Sequence, residues 1–128
     1  MNILAIDFWT KYIWLAKKES SNPIITPIWY INNDGGTMFE LANIIEQNRI
    51  WKIIIGYPTR QKNIQKKIDS FIKEFNLIYP QIKFIKQDED FTSVEAAAQT
   101  GEFKKARWKE DTIAAMKILE RYLSNQTS

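Results

Sequence analysis

Asp7, Glu89 and Asp111 are the acids around which chemistry could be built in this chain of 128 residues. Asp7 ends a short apolar run, Ile3-Leu4-Ala5-Ile6. A charge at the end of a buried strand is costly unless a cation or hydrogen-bond donors meet it. Glu89 sits in the acidic stretch Asp88-Glu89-Asp90, shortly after a second apolar run from Ile82 to Ile85. Asp111 precedes Ala114 and Ala115 by three and four residues, which puts it on the inner face of the last helix. In a parallel sheet the functional crevice lies beyond the strand carboxyl ends, where Asp7 and Glu89 both fall. Three carboxylates brought together repel one another unless divalent cations neutralise them. Two such ions, about 3.5–4 Å apart, would activate a water and stabilise the leaving oxygen of a phosphodiester. Asp88 and Asp90 are close enough in sequence to be alternative ligands. Taken by itself, Asp7 also has a plainer reading, as a strand-end acid accepting backbone hydrogen bonds.

The composition narrows the chemistry. The chain has no His and no Cys, which removes disulfides, thiolates and the commonest general base. Any metal must be held by oxygen, which points to Mg²⁺ or Mn²⁺. The net charge of +3 is unevenly spread. Arg60, Lys62, Lys66, Lys67 and Lys73 crowd one stretch, Lys104, Lys105, Arg107 and Lys109 another, and Asp88, Glu89, Asp90 and Glu95 lie between them. Basic patches flanking an acidic pocket suit a polyanion such as nucleic acid. Lysine-rich helices that are merely solvated are the common alternative. No apolar run approaches the ~20 residues of a membrane helix, and no cleavable leader opens the chain. A cytoplasmic protein with no membrane partner is the expectation; the oligomeric state is left open.

The elements that must position these acids follow from periodicity. Ile3–Ile6 and Tyr12–Ala16 read as two strands joined by a tight turn. A third strand spans Ile24–Ile31, and Pro23 and Pro27 give it an edge position. Asn32-Asn33-Asp34-Gly35-Gly36 is a turn. Met38, Leu41, Ala42 and Ile45 then mark a helix, with Thr37 or Asp34 as its cap. Ile50–Ile55 is a buried parallel strand closed by Gly56 and Pro58. Ile64, Ile68, Phe71, Ile72 and Phe75 recur at helical spacing, with lysines on the other side. Ile82–Ile85 is the fifth strand. A short helix from Thr92 to Gly101, a mobile loop from Glu102 to Lys109, and a last helix to about Leu123 complete the order. Residues 124–128 form a frayed tail. The expectation is a single α/β domain over 1–128, a mixed five-stranded sheet with helices on both faces.

Four segments carry a resemblance. IDFWTKYIWLA is similar to an Asp-x-Gly-Thr-Lys-x-x-Gly-x-Ala strand pair, KIIIGYP to a lysine-hydrophobic-Gly-x-Pro strand, QDEDFTSVEA to an Asp-Glu-Arg-Leu-Thr-Thr-x-Glu-Ala segment, and KEDTIAAMKILERYL to a final helix with an Asp before paired alanines. In this order, from Asn2 to Leu123, they resemble the YqgF/RuvX family of RNase H-like proteins. These are described as Holliday-junction resolvases and pre-16S ribosomal RNA nucleases. The resemblance implies an RNase H-like fold and a metal-dependent nuclease acting on structured RNA or branched DNA. Asp7, Glu89 and Asp111 would be its catalytic, metal-holding carboxylates. Lys11, Arg60, Lys104, Lys105 and Arg107 would hold backbone phosphates, and Thr10 would orient one oxygen. A non-catalytic nucleic-acid-binding module on the same fold is the alternative. An actin-like or sugar-kinase ATPase, whose phosphate loop is similar to the first turn, would need two such domains.

The departures are informative. Asp90 stands where the pattern has Arg, and the loop after Pro58 is short, leaving Thr59, Arg60 and Gln61 to do its work. Trp9 and Trp14 stand where the pattern has glycine. The chain holds five Trp and only four Gly, whereas Gly averages about 7% of residues. Trp29, Trp51 and Trp108 also fall at strand or turn edges. The expectation is that these codons are UGA, read as glycine by the source organism. Genuine indoles would serve as core or base-stacking residues, and Trp9 would then crowd Asp7 and impair catalysis.

Overall fold

Strand β1 (Asn2–Phe8) is the centre of one five-stranded sheet. Around it lie β2 (Tyr12–Lys18), β3 (Ile25–Asn32), β4 (Ile50–Pro58) and β5 (Lys83–Glu89), in the order β3-β2-β1-β4-β5. The first three strands pair antiparallel, and β1·β4 and β4·β5 are parallel. Among the described residues there are also helices α1 (Thr37–Gln47), α2 (Lys62–Ile78) and α3 (Trp108–Gln126). The computed structural model describes residues 1–89 and 108–126, with side chains described for 1–89 and 113–126. The mixed α/β sheet is the RNase H-like arrangement that the sequence led us to expect. The expected short helix at Thr92–Gly101 lies outside the described residues.

The apolar run Leu4-Ala5-Ile6 is continuous because the sheet is covered on both faces. Leu4, Ile6 and Phe8 pack with Ile53 and Ile55 against Leu41, Ile45, Ile68, Phe71 and Phe75 of α1 and α2. Ala5 and Ile54 face the other way, against Ile118, Leu119 and Tyr122 of α3. Alternation along a strand therefore sends odd-numbered residues of β1, Asp7 included, toward the α3 side.

Several boundaries differ from the periodic reading. Strand β4 continues through Gly56 to Pro58, and β5 continues to Glu89, because their mutual ladder runs on through Gly56↔Gln87 and Pro58↔Glu89. Glu89 is thus the last residue of a strand rather than part of the following loop. Helix α1 is capped at Gly36 with no side-chain hydrogen bond. Asp34 accepts from the Gly36 amide and Thr37 Oγ1 donates to the Asn32 carbonyl, so both proposed caps serve the turn instead. Trp108 and Lys109 belong to α3 rather than to a loop, and Ser124 to Gln126 are helical rather than frayed. β3 is the edge strand that its prolines require.

Among the described residues two non-glycines have positive φ, Arg49 at 52° and Trp29 at 80°. Arg49 directly follows the α1 cap Asn48, where a left-handed residue commonly ends a helix. Trp29 lies inside β3, where the left-handed backbone costs an L-residue about 1–2 kcal/mol.

A polar clip ties α2 to the sheet. Lys86 on β5 meets Asp69 at 2.6 Å, and the Tyr57 hydroxyl donates to the same carboxylate at 3.0 Å. The Lys86 hydrogen bond holds the Asp69 carboxyl below its usual range, and Asp69 in turn raises Lys86. Stabilisation from a depressed acid is complete above its unfolded pKa of about 4, and that from a raised lysine is complete below about 10. Both partners are nearly half exposed, so the clip contributes no more than about 1 kcal/mol. Lys86→Ala should lower the melting temperature slightly at pH 7, and the difference should vanish as the pH falls through the folded pKa of Asp69. Thermal melts at pH 7 and pH 2.5 check this.

Candidate active site

The parallel strands bring three chain positions to one edge of the sheet. Asp7 is 5% exposed and pairs across the ladder with Trp14. On the other side, Ile6 pairs with Ile55, so the next step along β4 is Gly56, on the same face as Ile54. Ile85 packs in the α3-side cluster, and alternation puts Glu89, which is 6% exposed, on that side as well. Asp7, Gly56 and Glu89 thus share a face and the carboxyl end of neighbouring strands.

Gly56 is required by close approach. A Cβ there would lie 2.6 Å from Ile118 Cδ1 and 3.4 Å from Glu89 Cγ. Helix α3 and the Glu89 side chain both close over this residue. Ile118 is fully buried, so its Cδ1 would have to shift within the packed core. Gly56→Ala should therefore cost about 1–3 kcal/mol, read as a lowered midpoint in urea unfolding.

Donors surround the two buried acids. Trp9 Nε1 donates to Asp7 Oδ2 at 2.8 Å. Arg121 Nη1 reaches Glu89 Oε1 at 3.2 Å; the arginine is half exposed and the carboxylate is not. The loop after β4 is pinned here too, because the Thr59 amide donates to the Glu89 carbonyl at 3.1 Å. Arg60, exposed, follows it directly. Thr10 and Lys11 form the exposed turn between β1 and β2. That turn is fixed by Asn33, which donates its amide to the Lys11 carbonyl and its side chain to the Trp9 carbonyl.

Asp111 lies in α3, and its side chain is outside the described residues. It stands one helical turn before Ala115, which is fully buried against Trp14 and Ala16. Among the described residues no group of three His, Cys, Asp or Glu could hold a metal ion. Asp88 is exposed and alternates to the side away from Glu89, which removes it as an alternative ligand. Asp90, Lys104, Lys105 and Arg107 lie outside the described residues.

Two buried carboxylates are hard oxygen donors, which suit a hard divalent cation, and the chain has no His or Cys to add an imidazole or thiolate. The sequence reading missed Arg121, whose helical position gave no chemical signal. It also missed the aromatic group beside the site. Tyr30 is 5.0 Å from both the Tyr12 and Trp14 ring centroids, and Lys11 Nζ lies 5.8 Å from the Tyr12 ring.

A family model described as RuvX, Holliday junction resolvase, matches residues 1–125. The chain belongs to this family. Among its relatives, a "Putative pre-16S rRNA nuclease" of Sulfurihydrogenibium sp. is 33% identical over 94% of this chain and 88% of its own length. The protein of the same name from Amoebophilus asiaticus is 32% identical, covering 96% and 94%. A solved structure of fowlpox virus resolvase with Holliday junction DNA is 19% identical, with TM-score 0.46 over 91% of this chain and 73% of that one. Membership of the family makes this chain a member of a nuclease group. Among the described residues no helix is long and apolar enough to cross a membrane.

Proposed function

We propose that this RuvX-family chain is a divalent-metal-dependent endonuclease. Its substrate would be structured nucleic acid, with the 5′ end of pre-16S ribosomal RNA first and Holliday-junction-like DNA second. The observation that carries the reading is the burial of Asp7 and Glu89 on one face of the sheet, at the carboxyl ends of β1 and β5, which flank β4. Burying a carboxylate is costly unless donors or cations meet it; Arg121 and the Trp9 N–H meet these two in part, and a divalent cation would complete the compensation.

Asp7 and Glu89, with Asp111 from α3, would hold Mg²⁺ or Mn²⁺. When bound, the ion supplies Lewis-acid polarisation of the phosphodiester and lowers the pKa of a water. The chain's own residues do the rest. Thr10 and Lys11 present a hydroxyl and an ammonium at the mouth of the site, and Arg60 offers a planar cation beside the Glu89 end. Lys104, Lys105 and Arg107 would add phosphate contacts. Arg121 holds the Glu89 carboxylate through its 3.2 Å contact with Oε1. The cytoplasm is the compartment that such a substrate implies.

The test is cleavage of a pre-16S leader transcript and of a four-way DNA junction, each with Mn²⁺, with Mg²⁺ and with chelator. Metal-dependent cutting of the transcript is expected; absence of cutting on both substrates would refute the reading. A second reading, a binding module without turnover, is favoured by one contact. The indole N–H on Asp7 Oδ2 occupies an oxygen that a cation would use. That module would bind with salt-sensitive affinity and show no carboxylate-dependent turnover.

A further inference from the structure

We infer that the functional protein carries glycine, not tryptophan, at positions 9, 14, 29 and 51, and that the residue at position 9 thereby tunes how tightly Asp7 takes a cation. The backbone carries this inference independently of any enzymatic reading. The sheet has two register shifts, one between Asn2 and Ile3 against β4 and one between Leu15 and Ala16 against β3. A tryptophan stands at each. At the first, Asn2 pairs with Ile50 and Ile3 with Lys52, so Trp51 is the residue stepped over. At the second, Leu15 pairs with Trp29 and Ala16 with Pro27, so Ile28 is stepped over, and Trp29 beside it has φ 80°. A left-handed φ such as that of Trp29 is one that glycine takes without a Cβ conflict, and glycine inside a strand often marks a bulge such as the one at Trp51.

The indoles do not explain the geometry. Trp29 is 57% exposed and Trp51 is 38% exposed, so neither indole is buried in the core. Arg49, the other residue with positive φ, sits just past a helix cap, whereas Trp29 is inside a strand.

The remaining two described tryptophans flank Asp7. Trp9 lies two residues on and places its N–H on the carboxylate. Trp14 is the direct cross-strand partner of Asp7 and is buried beneath α3 against Ala115. Glycine at these positions would clear both sides of the acid. A codon that the source organism decodes as glycine accounts for all four positions at once, and for a chain with five Trp and four Gly.

The deciding experiment is tandem mass spectrometry of tryptic peptides from the protein isolated from its source, read beside the codons of its gene. Glycine at 9 and 14, in the peptides ending at Lys11 and Lys17, with UGA codons is the expected result. Tryptophan at those positions, or UGG codons, overturns the inference. A recombinant pair gives a second readout that does not depend on nuclease activity. Trp29→Gly should raise the melting temperature, and a lowered one would overturn the backbone argument. Trp9→Gly should tighten Mn²⁺ binding roughly tenfold in calorimetry, the scale of one hydrogen bond to a charged group. Unchanged affinity would overturn the role given to position 9.

Discussion

Asp7→Asn is expected to lower metal-dependent cleavage by more than about a hundredfold, the loss typical when one charge-stabilising group leaves a reacting centre. The substitution keeps the shape of the side chain and exchanges one carboxylate oxygen for an amide. Asp7 is buried on the face it shares with Glu89, so removing its charge relieves repulsion inside the site. The metal-free variant should therefore melt at or above the parent temperature. That combination separates a chemical role from a structural one, because a strand-end acid serving only backbone hydrogen bonds would lose stability when changed. Added Mn²⁺ should also raise the melting temperature of the parent by mass action, and it should fail to do so for Asp7→Asn. Cleavage assays with paired thermal melts make the comparison. Cleavage that survives the substitution would refute the role given to Asp7.

Phe75→Ala should destabilise the fold by about 3–5 kcal/mol, the range for a large aromatic removed from a packed interior. Phe75 is fully buried, with ring centroids 6.2 Å from Phe71, 5.1 Å from Tyr79 and 5.8 Å from Phe84. It joins α2, β5 and the turn between them. Domains of this kind have about 5–15 kcal/mol of stability in all, so one ring carries a large share of it. The surface clip through Asp69 and Lys86 makes a far smaller contribution despite its short contacts. Urea unfolding measures the difference, and a loss below about 1 kcal/mol would show that α2 is held by something other than this aromatic cluster.

Much of this architecture could be read from the chain because burial dictates pattern. Leu4-Ala5-Ile6 and Ile53-Ile54-Ile55 are continuous apolar runs because α1 and α2 cover one face and α3 the other. Pro27 announced an edge strand because its missing N–H cannot join an inner ladder. The boundaries were less legible. Gly56 and Pro58 read as a strand end, yet the ladder to β5 carries both, since pairing with Gln87 and Glu89 outweighs their weak strand preference. The Asp34 and Thr37 side chains looked like caps and are consumed by the turn, a local competition that residue type alone does not decide.

At the site, Asp7 and Glu89 were legible as strand-end acids, and their common face follows from strand alternation. Asp88 was not separable from Glu89 by sequence, since one residue of register decides which acid turns inward. Arg121 was hidden because it lies 32 residues from Glu89 and meets it only through tertiary packing. The tryptophans were visible as a compositional oddity. Only the backbone shows that two of them stand at register shifts of the sheet.

In the proposed site, three carboxylates distant in sequence hold one cation centre. Crystals of the chain with glycine at positions 9 and 14, soaked in Mn²⁺ and measured for anomalous scattering, address it directly. Mn²⁺ density in contact with Asp7, Glu89 and Asp111, lost in Asp7→Asn, is the expected result. Manganese bound elsewhere, or an Asp111 side chain directed away from Asp7, would contradict it.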